Sequence, residues 1–213
     1  MTAGFQPGCR KCPRLAAFLD EVRAEYPRYF SRPVPSFGDP DARLLIVGLA
    51  PGKHGANATG RPFTGDHAGI LLYQTLFEFG FGSQPCSNNA DDGLMLRDCR
   101  ITNAVRCLPP ENKPTTSEVD TCNAYLADEL LSMPVNGFVL ALGTIAHRSV
   151  LKALNLKLSA FRFGHGAEHE IGAGLKLIDS YHCSRYNTQT RRLTSAMFTD
   201  VFRRLRAALD DGG

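Results

Sequence analysis

Two kinds of apolar pattern alternate along this chain. Short uninterrupted runs occur in RLLIVGLA, RITNAV, GFVLALG and GLKLIDSYH, the mark of strands buried on both faces. Between them lie stretches with helical spacing: RLAAFLDEVRAEY behind Pro13, AGILLYQTLFEFG ending at Gly80, TSEVDTCNAYLADELLS, TIAHRSVLKALNL and SAMFTDVFRRLRAAL. Ser117 or Thr116 with the acidic residues after it reads as a capping box opening the third helix. PRYFSRPVPSFGDPDA and SQPCSNNADDG are polar, turn-rich connections. Strand-helix alternation of this kind predicts a three-layer α/β/α fold around a central, mostly parallel four-stranded sheet. Functional groups are then expected at the carboxyl ends of the strands.

Length and charge narrow this picture only a little. At 213 residues the chain suits a single domain spanning 1–213. No apolar run is long enough to cross a membrane. MTAGFQPGCRKC lacks the apolar segment of a signal peptide, which points to a cytoplasmic, reducing environment. A net charge of +3 does not by itself announce a nucleic-acid binder. Arginines gather at positions 14, 23, 28 and 32 and again at 185, 191, 192, 203, 204 and 206, the last three on the solvated face of the final helix.

The cysteines carry more information. Cys9 and Cys12 form a C-x2-C, and Cys107 and Cys122 bracket the Pro-rich segment RCLPPENKPTTSEVDTC. A redox dithiol would leave Cys107 and Cys122 without a role, and the odd total of seven argues against a disulfide framework. Zinc and an iron–sulfur cluster both remain. Zinc ribbons favour two C-x2-C knuckles, and one half of this set is not a knuckle, which tilts the reading toward a cluster.

Three segments lie at predicted strand ends. GLAPGKHGANATGRPFTGD, residues 48–66, is Gly-rich but matches neither the dinucleotide fingerprint nor the P-loop. Phe63 is an apolar ring among polar neighbours, suited to stacking on a base. In ITNAVRCLPPENKP, Asn103 ends a strand and can offer both donor and acceptor to a base edge. In DSYHCSRYNTQTRRLT a strand delivers His182 into a basic loop, where it can donate a hydrogen bond to developing negative charge. His147, His165 and His169 have no spacing that suggests a metal and read as structural.

Taken together, the four cysteines, GLAPG…GRPFTGD, NAVRCLPPENKP and YHCSRYNTQT-RLT, in this order, resemble the type b, or family 5, uracil-DNA glycosylases. The resemblance runs from Cys9 to about Phe198. It implies a base-flipping, monofunctional glycosylase acting on DNA that contains uracil, with hypoxanthine and xanthine as further candidate bases. It also implies a four-iron, four-sulfur (4Fe-4S) cluster on Cys9, Cys12, Cys107 and Cys122. His182 would stabilise the departing uracil anion, Phe63 would stack on the flipped base, Asn103 would read its edge, and Gly52 would help bind it. Relatives outside family 5 hold the attacking water with a side chain at the position of Ala50, whose methyl cannot. Asp66 is the first choice for the water or the cationic sugar, and His54 the second. Arg185 and Tyr186 occupy the minor-groove wedge, and Arg191 and Arg192 are placed to reach phosphates.

Against the family pattern the chain departs at Ala58, where Arg is common, at Cys183, where Pro or Val often follows the His, at Tyr186, where Gln is frequent, and at Arg192. The expectation is a monomeric, nucleoid-associated enzyme of a bacterium or archaeon. An alternative is a noncatalytic, metal-stabilised nucleic-acid-binding module, which needs the same cysteines and arginines but neither His182 nor Phe63. A third reading, a hydrolase of small nucleotides, requires cleavage of free deoxyuridine.

Overall fold

Each of the four apolar runs becomes a strand paired on both sides. A computed structural model of the chain describes residues 4–172 and 174–211. In chain order the elements are α1 (Pro13–Glu25), β1 (Phe37–Gly38), β2 (Leu44–Gly48), α2 (Ala56–Thr59), α3 (His67–Glu78), β3 (Cys99–Asn103) and α4 (Thr116–Leu131). They continue with β4 (Phe138–Leu142), α5 (Thr144–Ala153), β5 (Glu168–Glu170), β6 (Lys176–Ser180), α6 (Arg185–Gln189) and α7 (Ser195–Asp211).

The sheet runs in the order β1-β3-β2-β4-β6-β5. Its four central strands are the expected parallel set, and β1 and β5 add short antiparallel edges, so the sheet has six strands where four were read. Strands of two and three residues are too short to show an alternation, which is why both edges escape the pattern.

Side chains alternate across the sheet and sort into two cores. Leu44, Ile46, Leu140 and Ile178 pack on one face with Leu72 and Leu76 of α3 and Phe198, Phe202 and Leu205 of α7. Leu45, Val47, Val139, Ala141 and Leu177 pack on the other with Leu126 of α4 and Val150 of α5. At about 1.5–3 kcal/mol for each fully buried large apolar side chain, these two layers dominate the folding energy. A third cluster ties Leu15, Leu19 and Val22 of α1 to Val105, Leu108 and Tyr125, and it contains the cysteine corner.

Local signals explain the ends of the helices. Pro13 opens α1. The capping box of α4 uses Thr115, one or two residues before the expected cap: Glu118 N–H donates to Thr115 Oγ1 at 3.3 Å, and Thr115 N–H donates to Glu118 Oε2 at 2.8 Å. Glu118 also receives Arg14 at 2.8 and 2.7 Å, which pins α1 to α4 beside the cysteines.

Register brings the functional end of the sheet together. Gly48 of β2 lies opposite Asn103 of β3, and Leu142 of β4 lies opposite Ser180 of β6. The chain leaves β2 toward β3 on one side, and β4 follows on the other. The crevice therefore forms at a topological switch point, beyond the carboxyl ends of β2 and β4.

Candidate active site

A cavity of about 550 Å³ occupies this crevice, within the usual range for a ligand site. Its walls come from the loop after β2 (Leu49, Ala50, Gly52), from Phe63 and Asp66, from Asn103, from the turn at Gly143, and from His182 and Arg185. The resemblance's principal candidates thus converge from four separate segments.

Close approach of side chains to backbone accounts for the glycines. A Cβ at position 48 would lie 2.6 Å from Phe63 Cζ and would also collide with Asn103 Oδ1, so only glycine lets these two side chains share the strand end. Phe63 is buried and held at φ +57°, a left-handed conformation that a bulky residue adopts only when its surroundings impose it. Tyr73 Oη donates to the Pro62 carbonyl at 2.6 Å just before it, which fixes the turn. The Phe63 ring faces the His182 imidazole with centroids 5.9 Å apart and planes 26° from parallel.

Asp66 begins α3, but its carboxylate does not cap that helix. It turns back over the glycine loop and accepts the Ala56 N–H at 3.2 Å through Oδ2. A side chain at Gly52 or Gly55 would run into this carboxylate. Burial pushes its pKa above the ordinary carboxylate value, partly opposed by main-chain N–H groups of Ala56 and Gly52. A carboxylate so placed is a stronger base than one in water.

His182 is half-buried and lines the cavity. Desolvation pushes its imidazole down to about 4, so at neutral pH the ring is uncharged and still carries one N–H to donate. Its backbone is held by Asn187, whose Nδ2 donates to the His182 carbonyl at 2.8 Å. Ser184 caps α6, its Oγ accepting from Asn187 N–H at 3.4 Å. The basic loop read from the sequence is therefore a capped helical turn, and Asn187, which the sequence reading passed over, is its lock.

The remaining candidates divide. Gly52 and Asn103 line the cavity; Asn103 is 3% exposed. His54 does not line it. Its Nδ1 pairs with Tyr29 Oη at 2.9 Å, and its ring packs edge-on against Tyr26 and Tyr29 outside the cavity. Arg185 sits between the cavity and a second groove that runs along α3 past Ile70 and Phe77. Tyr186 is 71% exposed, and Arg191 and Arg192 are exposed as well, with the Arg192 guanidinium 4.9 Å from the Tyr181 ring centroid. Four polar cavity residues were not singled out in the sequence: His67, at the start of α3, Asn112, at the tip of the loop between Cys107 and Cys122, Thr144, at the start of α5, and Ser184, which caps α6. Asn112 has φ +56°, a conformation common for Asn, and the segment PPEN that it ends is a turn signal that the sequence does show.

Cys9, Cys12, Cys107 and Cys122 surround one small void of about 20 Å³. None is in a disulfide. Burial first, and then the other three cysteines, push the Cys107 thiol up to about 12; Cys12 and Cys122 are raised for the same leading reason. Cysteines gathered this closely become thiolates together only around a strong positive centre. The Arg106 N–H already points at Cys122 Sγ, at 3.4 Å.

Comparison with known proteins adds to this geometry. The family described as the uracil DNA glycosylase superfamily matches residues 35–206. The chain is 49% identical to a Thermus thermophilus protein named type-5 uracil-DNA glycosylase, over 91% of this chain and 90% of that one. It is 43% identical to a Pyrobaculum aerophilum protein of the same name, over 96% and 89%. Among solved structures, wild-type SMUG2 from Pedobacter heparinus matches with a TM-score of 0.50 at 14% identity, covering 92% of this chain and 85% of that one, which supports the fold.

Proposed function

The chain belongs to the uracil-DNA glycosylase superfamily, and we propose that its cavity takes a uracil flipped out of DNA and hydrolyses the bond between the base and the sugar. The observation that carries this reading is the convergence of Phe63, Asp66, Asn103 and His182 on one cavity, with the imidazole kept neutral and the carboxylate desolvated. A noncatalytic binding module has no need of either state.

The chemistry follows from the placement of these groups. Uracil stacks on Phe63, and the Asn103 amide pairs with its edge through one donor and one acceptor. As the N1–C1′ bond lengthens, its electron pair moves into the uracil ring and charge gathers on O2. The neutral His182 donates an N–H to that oxygen. A cationic imidazole is unnecessary, because a buried neutral donor already stabilises the charge strongly where water is excluded. Water attacks C1′ of the cationic sugar, and its proton passes to the Asp66 carboxylate. The products are free uracil and an abasic site in DNA. Ala50 presents only a methyl to the cavity, so Asp66 is the carboxylate left to hold the water.

Cys9, Cys12, Cys107 and Cys122 would hold a 4Fe-4S cluster in this reading. The donor set fits: four thiols, none oxidised, around one void. Their spread adds support, because among the described residues the sulfurs do not form a set lying mutually within 4.8 Å. Four thiolates on one zinc ion would sit about 3.8 Å apart. Such a cluster supplies a cross-link between α1, α4 and the loop carrying Asn112, and hydrolysis needs no electron from it. The exposed Arg185, Tyr186, Arg191 and Arg192 would meet the duplex, Tyr186 filling the space the base leaves. No helix among the described residues is long and apolar enough to cross a membrane, and the enzyme would work as a cytoplasmic monomer.

The test is a duplex carrying one deoxyuridine, incubated with the protein and then treated with alkali. Strand breakage at that position is expected with wild type and is strongly reduced with His182→Ala. Duplexes carrying deoxyinosine or deoxyxanthosine in the same assay define the range of bases. Absence of breakage with wild type, or equal breakage with His182→Ala, would sink the mechanism. Cleavage of free deoxyuridine but not of the duplex would favour the small-nucleotide hydrolase.

A further inference from the structure

The histidines at 147 and 169 showed no metal-like spacing in the sequence, yet the fold brings both onto one carboxylate. Asp179 of β6 has no exposed surface. Its Oδ1 lies 2.8 Å from His147 Nδ1 on α5, and its Oδ2 lies 3.5 Å from His169 Nε2 on β5. Gly164 N–H also points at Oδ2, at 3.3 Å. Among the described residues, this is the one group of three or more His, Cys, Asp or Glu whose ligand atoms all lie within 4.8 Å of one another.

Hydrogen bonding around the group leaves a positive charge unaccounted for. His147 Nε2 faces the Phe161 carbonyl at 3.1 Å, and a carbonyl only accepts. The hydrogen of a neutral His147 ring is thereby committed to Nε2, and Nδ1 turns its lone pair on the carboxylate. Lone pairs 2.8 Å apart on an imidazole and a carboxylate repel unless a cation stands between or beside them. His169 Nε2 brings a further nitrogen that is buried and has no hydrogen-bond partner. A second proton on His147 would satisfy the first contact and leave His169 Nε2 with only its long 3.5 Å approach to Asp179 Oδ2, which makes no hydrogen bond. The contacts to the Phe161 carbonyl and Gly164 N–H tie that segment to β6, but packing alone is often served as well by apolar residues as by a buried carboxylate and two imidazoles. A backbone carbonyl behind the far nitrogen of a histidine is, by contrast, the usual support of a metal-bound ring.

The geometry points to a divalent transition-metal site of the zinc type formed by His147, His169 and Asp179, separate from the cysteine corner. Adjacent ligand atoms around a tetrahedral zinc lie about 3.4 Å apart, so the 3.5 Å contact already fits and the 2.8 Å contact opens by about half an ångström. His169 belongs to an edge strand and its side chain is 16% exposed, which gives the ion a route in and leaves a position for water. None of the cavities described above is lined by these residues, so the ion would be structural. It would tie β5, β6 and α5 together immediately behind the segment that delivers His182.

The experiment uses cluster-loaded protein, so that the four cysteines are already occupied. Wild type and His169→Gln are equilibrated with zinc, freed of unbound metal, and analysed for zinc and iron together. The expected result is one zinc per chain in wild type and a loss of most of it in His169→Gln at equal iron. Zinc at about a hundredfold above its dissociation constant should raise the wild-type melting temperature by about 5–10 °C and leave that of the variant in place. His147→Gln, which keeps a polar ring-sized side chain, serves as the second variant if His169→Gln is poorly soluble. Failure of wild type to retain zinc, or equal retention by both proteins, would overturn the assignment.

Discussion

The cavity has a wall and a lip, and they are built on opposite principles. The wall, made by buried Phe63 and Asn103 and half-buried Asp66, is held by contacts that tolerate only glycine at 48, 52 and 55. The lip, residues 185–192, is an exposed turn whose arginines and tyrosine reach into solvent. His182 stands where the two meet. Chemistry needs groups that do not move when charge develops, and a duplex needs side chains that adapt to its phosphates. Substitutions in the wall should therefore change the chemical step, and substitutions of the lip's exposed arginines and tyrosine should change binding; Asn187, which turns inward to hold the His182 carbonyl, goes with the wall.

The largest effect is expected at the junction. His182→Ala should lower the single-turnover rate on uracil-containing duplex about 10²–10³-fold, as loss of one preorganised donor does elsewhere. Gly55→Ala should cost a comparable amount, because its methyl displaces the Asp66 carboxylate; excision that survives unchanged would mean that Asp66 is not held where this account needs it.

Acidity offers a second way to break the comparison. His182 resists protonation in the fold, with its pKa near 4, while the same group in the unfolded chain titrates near 6.5. Its contribution to stability is complete above 6.5 and is lost as the pH falls from there toward 4. Asp66 is shifted the other way, so the acid limb of the rate should lie above the ordinary carboxylate value and vanish in Asp66→Asn. A rate profile that keeps the same acid limb in Asp66→Asn would remove Asp66 from the mechanism.

Cys107→Ser probes a third region, which supports the wall from behind. It should lower thermal stability and duplex binding before it lowers the rate of bound substrate. A stable, iron-free and fully active variant would show that the cysteine corner contributes nothing to docking. Asn187→Ala removes the hydrogen bond that holds the His182 carbonyl, and the expected loss is about tenfold in rate, from roughly 1–1.5 kcal/mol, with little change in affinity. The smallest effect belongs to the lip: Arg191→Ala should weaken binding a fewfold and reduce the salt dependence of affinity by about one unit on a log-log plot, leaving the chemical step alone.

What the sequence disclosed follows the same division. The four central strands were legible because each is buried on both faces and so appears as an unbroken apolar run. Phe63, Asn103 and His182 were legible because a motif at a strand end has few places to go. Asp66 was harder. Its position after Gly65 reads equally as a helix cap, and only the side chain's turn toward Gly52 and Gly55 separates the two uses. His54 sits in the same glycine-rich loop, yet its ring goes to Tyr26 and Tyr29, a contact with α1 and the segment after it that no local pattern announces. The same holds for Asp179 and its two histidines, which lie 10 to 32 residues apart in the chain and meet only through strand pairing and the packing of α5.

The division between wall and lip is tested most directly by measuring the single-turnover excision rate and the duplex dissociation constant side by side for Asp66→Asn and Tyr186→Ala. The account predicts that Asp66→Asn slows excision about a hundredfold or more at unchanged affinity, while Tyr186→Ala weakens binding and excises at close to the wild-type rate once saturated. Wild-type excision by Asp66→Asn, or a rate defect of equal size in Tyr186→Ala at saturation, would contradict it.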